Sequence, residues 1–188
     1  VCDVLIIGSG YGGSFAANEL AQTGASVWVL ERGREYALGE FPEDIGTLPG
    51  HVHIQPGNGA DAIGNSDALF DLRRFDQVSV LQANGLGGGS LIKAGVAIRP
   101  DPQLLDNPCW PDHYRKSLQG KEALWQAMGH VEQQLQVKPL SDARALKKFQ
   151  SLDKLAQSMG QRAFPAPLTI ASEDQVSPAG VAQKACPR

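Results

Sequence analysis

No apolar run in this sequence approaches the roughly 20 residues that a membrane-crossing helix needs. No leader of charged, then apolar, then small residues precedes the first apolar segment. The chain starts at Val1 rather than Met, which leaves room for a trimmed leader, and the default expectation is a cytoplasmic protein. Charge of one sign is also lacking. Seventeen Lys and Arg are scattered among twenty Asp and Glu, for a net charge of −3, so no basic face is offered to nucleic acid or anionic lipid. Cysteine is scarce: Cys2, Cys109 and Cys186 are odd in number and far apart, which fits neither a disulfide framework nor a zinc site. They read as buried or idle thiols. His51 and His53 stand two apart, but no Cys, Asp or Glu cluster completes a metal set around them, and no metal is expected. His113 and His130 read as ordinary histidines. No internal repeat is present.

What remains, with 42% hydrophobic residues, is enough for a sizeable globular core. The first thirty residues run strand, turn, helix, strand. Val4-Leu5-Ile6-Ile7 is a short apolar run bounded by glycine, the pattern of a parallel strand buried on both faces. A helix is expected from about Gly12, with Ala16, Ala17, Leu20 and Ala21 at helical spacing and Gly24 placed to end it. Val27-Trp28-Val29-Leu30 follows as a second buried strand, parallel to the first.

Between that first strand and helix lies Gly8-Ser9-Gly10-Tyr11-Gly12-Gly13, which matches G-x-G-x-x-G through Gly8, Gly10 and Gly13. In this motif the first glycine makes the tight turn, the second lets backbone touch a pyrophosphate, and the third lets helix pack on strand. Unpaired N–H groups at the helix start carry partial positive charge and hold phosphate without a lysine. Glu31 follows Gly13 by 18 residues at the end of the second strand. A carboxylate there accepts hydrogen bonds from ribose hydroxyls and repels a 2′-phosphate, which disfavours NADP. The fingerprint alone leaves FAD and NAD open, because both share the ADP half that it binds.

Further along, residues 34–76 lack periodicity and are punctuated by Gly and Pro, so they read as an irregular excursion. Gln77 to Leu81 alternates like a half-buried strand and runs into a second glycine cluster, Gly85-Leu86-Gly87-Gly88-Gly89-Ser90. That run suits neither a regular helix nor a strand, and lets backbone pass close to something flat or charged, or else makes a tight bend. Residues 77–100 are taken as one segment with this motif, ending in a short strand from Ala94 to Ile98. The remainder, 101–188, is expected to be mainly helical. Leu124, Met128, Val131 and Leu135 form one apolar stripe and Leu146, Phe149, Leu152, Leu155 and Met159 another, both read as core, ahead of a tail with little periodicity.

The two glycine segments together, the second extended as Asn84-Gly85-Leu86-Gly87-Gly88-Gly89-Ser90-Leu91-Ile92-Lys93-Ala94-Gly95-Val96, resemble those of the glucose-methanol-choline (GMC) oxidoreductases, most closely the bacterial cholesterol oxidase branch. The resemblance implies an α/β fold with a Rossmann-type FAD-binding βαβ unit, and FAD as the cofactor. It places Gly8, Gly10, Tyr11, Gly12, Gly13, Glu31 and Arg32 at the nucleotide end. Gly87, Gly88, Ser90, Gly95 and Val96 would line the flavin end. Where the family usually has Asn, this chain has Lys93, a cation that faces either the flavin or solvent.

The resemblance implies oxidation of an alcohol or sterol CH–OH group by hydride transfer to flavin, with a small-molecule substrate bound by another part of the enzyme. The family's catalytic histidine lies in a C-terminal stretch that has no match here, so no catalytic residue is assigned. The chain is therefore expected to be a fragment of a longer enzyme, inactive by itself. Two other readings stay open: an NAD-dependent dehydrogenase, and a catalytically inactive dinucleotide-binding or interaction module.

Overall fold

The computed structural model describes residues 1–186 apart from Leu38 and Asn58. The chain forms two compact units, Val1–Ala94 and Gly95–Arg188. The segment read as one piece over residues 77–100 is thus divided. Its last residues leave the first unit because their backbone is taken up further along the chain: Thr169 N–H donates to Gly95 O at 2.7 Å and Ala97 N–H to Pro167 O at 2.9 Å.

In the first unit, β1 (Val4–Ile7), α1 (Tyr11–Gln22) and β2 (Val27–Leu30) make the expected βαβ unit. β1 and β2 are parallel, with Val4 opposite Val27 and Ile7 opposite Leu30. Gly24, at φ +87°, ends the helix as expected, its N–H donating to Ala21 O. The expectation that both strands are buried on both faces is not met. Ile7 is 75% exposed and Trp28 55%, because α1 is packed on only one side of a two-stranded sheet.

The excursion expected to be irregular carries most of a second sheet. β3 (Val52–Gln55), β4 (Ile63–Gly64), β5 (Phe70–Arg74) and β6 (Ser79–Ala83) lie in the order β4-β3-β5-β6. β3 and β5 are parallel and the outer pairs antiparallel. These strands are only two to five residues long, too short for a periodic pattern to declare itself, so periodicity was a poor guide to them. The tightest packing lies at the start of β5 and the end of β6, where Ala68, Leu69, Asp71 and Asn84 are 4% exposed or less. Two of those four are polar.

The second unit holds a short α2 (Asp112–Arg115), and α3 (Leu118–Gln134) and α4 (Lys147–Ser158) where the two helical stripes predicted them. Ser117 caps α3 by accepting from Gly120 N–H. β7 (Lys138–Pro139) pairs with β8 (Pro167–Leu168), and β9 (Gln175–Val176) with β10 (Ala182–Gln183), all antiparallel. The tail is therefore more ordered than its composition suggested. The strand expected over Ala94–Ile98 is reduced to a single bridge, Val96 to Leu168. The α4 stripe is not core: Leu152, Leu155 and Met159 are more than half exposed, since none of the described elements covers that face.

Candidate functional site

The two glycine segments meet at one place, and several of the glycines there have a geometric reason. Gly8 turns the chain at φ +90°, its N–H tied to Leu30 O at 2.7 Å. A Cβ on Gly13 would overlap Gly8 O, so α1 approaches β1 this closely only with glycine. Gly10 and Gly12 differ. A Cβ on either would meet no atom within 4 Å. No acidic side chain stands in the first turn of α1, and no side chain caps its N-terminus. The N–H groups of a first turn left without a cap carry the partial positive charge that favours an anion.

Ser9, 4% exposed, links the two glycine segments. Its N–H and Oγ–H both donate to Glu31 Oε2, at 2.8 and 2.6 Å, while Gly33 N–H donates to Oε1 at 2.9 Å. Burial pushes the Glu31 carboxyl up, but the Gly33 and Ser9 donors outweigh it and hold the group below the ordinary carboxylate value. In turn Ser9 Oγ accepts from Gly87 N–H at 2.9 Å. The carboxylate, the first glycine turn and the second glycine segment thus form one chain of hydrogen bonds.

Backbone packing completes the junction. A Cβ on Gly88 would lie 2.8 Å from Gly10 Cα, and one on Gly33 would overlap the Asn84–Gly85 peptide. Leu86 N–H donates to Arg34 O at 2.9 Å. Part of the glycine requirement in the second cluster therefore comes from backbone passing over backbone. Gly87 and Gly88, at φ +108° and +55°, also adopt the left-handed region. Ser90 closes the turn with Oγ–H donating to Gly87 O.

Of the residues singled out in sequence, Gly8, Gly10, Tyr11, Gly12, Gly13, Glu31, Arg32, Gly87, Gly88, Ser90 and Lys93 lie in the first unit. Gly95 and Val96 belong to the second, where a Cβ on Gly95 would press on Ile170 at 2.5 Å. Lys93 is exposed, and its Nζ lies 5.1 Å from the centre of the Tyr11 ring, a cation–π contact between the two motifs. Arg32 donates to Asp71 and Asn84. Ser9 and Asn84 were read within the two glycine segments without a role of their own, and Asp71 was missed. Ser9 occupies a free position of its motif, and the meeting of Asp71 and Asn84 with Arg32 carries no spacing signal, since it is made only across the fold. Among the described residues no group of three His, Cys, Asp or Glu is placed to hold a metal, and no helix is long and apolar enough to cross a membrane.

A family model described as GMC oxidoreductase matches residues 2–187. An uncharacterized GMC-type oxidoreductase of Mycobacterium tuberculosis is 28% identical over 166 residues, covering 88% of this chain and 24% of that protein. A cholesterol oxidase of Acinetobacter baumannii is 33% identical over 110 residues, 58% of this chain and 18% of that protein. A long-chain-alcohol oxidase of Arabidopsis thaliana is 29% identical over 136 residues, 72% of this chain and 16% of that protein. The chain spans about a quarter or less of the length of these relatives.

Proposed function

The chain belongs to the GMC oxidoreductase family, whose members generally bind FAD, and from that premise we propose that these residues hold FAD in an enzyme oxidising an alcohol or sterol CH–OH group. The observation that carries the cofactor assignment is the open space at Gly10 and Gly12, joined through Ser9 to both Glu31 and Gly87. An NAD site needs only the first glycine turn and the carboxylate. Here a second glycine segment is fastened to that turn, which suits the longer reach of FAD.

In this reading the amides at the start of α1 hold the pyrophosphate, with Gly10 and Gly12 admitting it to backbone contact. Glu31, kept ionised by its donors, takes a ribose hydroxyl. Gly87, Gly88 and Ser90 shape the backbone that runs on toward the flavin, and Lys93 braces it against Tyr11. Gly95 and Val96 are assigned to the flavin end on family position. When bound, FAD supplies the acceptor for hydride from the alcohol carbon. The substrate class is suggested by cholesterol oxidase and long-chain-alcohol oxidase among the relatives.

The test is FAD binding by the intact protein, read from flavin absorbance on purification and by titration of the stripped protein. Wild type is expected to bind FAD in preference to NAD, and Glu31→Gln to bind it roughly tenfold more weakly through loss of a charged acceptor. Saturable NAD binding with no affinity for FAD would overturn the assignment.

A further inference from the structure

Asp71 is a carboxylate 1% exposed, with four donors aimed at it from three different segments. His53 Nδ1 lies 3.1 Å from Oδ1, and opposite an ionised carboxylate that nitrogen is the protonated one. Arg73 donates through Nε and Nη2 to Oδ2 at 3.2 and 3.0 Å. Arg32 Nη2 reaches the same oxygen at 3.0 Å. Arg32 also donates through Nε to Asn84 Oδ1 at 3.0 Å, and Asn84, likewise 1% exposed, donates through Nδ2 to Ser66 O. One guanidinium thus joins the buried end of the second sheet to the first residue after Glu31.

We propose that Asp71, acting through Arg32, is a positioning residue for the Glu31–Arg34 turn and sets its register against Asn84–Gly87. Four successive ties make that register: Glu31 through Ser9 to Gly87, Arg32 to Asn84, Gly33 against the Asn84–Gly85 peptide, and Arg34 O to Leu86 N–H. Of these ties the Arg32 one alone runs to the buried Asp71 carboxylate of the second sheet. Arg32 itself is 55% exposed, so its side chain adds little by burial, and its contribution lies in where it holds the backbone. The guanidinium is directed to Asp71 and Asn84 and therefore acts on the cofactor indirectly. Arg73 serves as the internal contrast: it pairs with the same Asp71 oxygen but makes no tie to the turn.

The inference rests on the FAD reading for what the turn carries, but its test does not depend on cofactor. In the intact, FAD-free protein, hydrogen exchange is measured over the peptides containing Gly33 and Leu86 in wild type, Arg32→Met, Arg73→Met and Asp71→Asn. Arg32→Met and Asp71→Asn are expected to speed exchange in both peptides by about tenfold, the scale of one lost charge-assisted hydrogen bond, with Arg73→Met near wild type. FAD affinity is expected to follow the same order, with the Arg32→Met/Asp71→Asn double variant no weaker than the weaker single variant. Should Asp71→Asn fail to fold, the contrast between Arg32→Met and Arg73→Met decides the matter. Unchanged exchange in Arg32→Met, or equal acceleration in Arg73→Met, overturns the proposal. Accelerated exchange in a protein that binds no FAD supports the positioning role and overturns the cofactor assignment instead.

Discussion

Alanine at Gly10 and alanine at Gly13 separate a glycine kept for a ligand from one kept for the fold. Gly10 lies at φ −63° and ψ −178°, a conformation open to alanine, and its Cβ would enter empty space. Two small effects then act on the FAD-free protein. Restricting the unfolded chain stabilises by about 0.4–1 kcal/mol, and replacing glycine with alanine at a helix N-cap costs about as much. They offset, and stability is expected to move by under about 1 kcal/mol. Bound pyrophosphate fares differently, because the methyl group occupies its approach. Losing one hydrogen bond to a charged group, at about 1.5–3 kcal/mol, weakens FAD binding by roughly 10- to 100-fold. Gly13→Ala drives a methyl into the Gly8 carbonyl, which cannot swing aside, and the overpacking costs about 1–3 kcal/mol with or without cofactor. The assay is thermal unfolding of the intact protein with and without FAD, alongside a fluorescence titration. Gly10→Ala should keep the FAD-free Tm and lose most of the cofactor-induced rise, whereas Gly13→Ala should lower both. A Gly10→Ala protein that binds FAD as wild type does would refute the reasoning, as would one whose FAD-free Tm falls as far as that of Gly13→Ala.

Two further outcomes follow from the electrostatics. Burial raises the Asp71 carboxyl, but hydrogen bonds from His53, Arg73 and Arg32 lower it further, leaving it below the ordinary value. A depressed folded-state pKa contributes stability above the unfolded value of about 4, and that contribution is lost as pH falls through the folded value. FAD-free protein should therefore lose thermal stability on acidification below about pH 4 more steeply in wild type than in Asp71→Asn, and parallel acid profiles would count against the depression. Lys93→Asn removes the ammonium over Tyr11, so FAD affinity is expected to fall a few-fold while the flavin reduction potential stays put. A shifted potential in that variant would place the cation beside the flavin instead.

The βαβ unit was legible in the sequence because its signals are local. A four-residue apolar strand, a glycine turn and a helix stopped at Gly24 each declare themselves within a dozen residues, and Glu31 stands at a fixed offset from the turn. The second glycine segment was legible as a place that needs backbone freedom, but its neighbour was not. That neighbour proved in part to be Gly10 and Gly33, reached only when the chain folds back on itself. The Asp71 cluster was hidden for the same reason, since Arg32 meets Asp71 and Asn84 from far along the chain, whereas β3–β5 were hidden because strands of two to five residues carry too short a pattern.

By itself, then, the sequence determined the glycine turn, the parallel strand pair and the acid at the second strand's end, all set by short-range sterics and spacing. Tertiary structure alone decided that Ser9 bridges Glu31 to Gly87, that Arg32 turns inward to Asp71 and Asn84, and that Gly95 joins a different unit from Lys93. Each of these is a choice of partner for a hydrogen-bonding group. Sequence shows what a group can donate or accept, and only the folded chain shows which partner comes within reach.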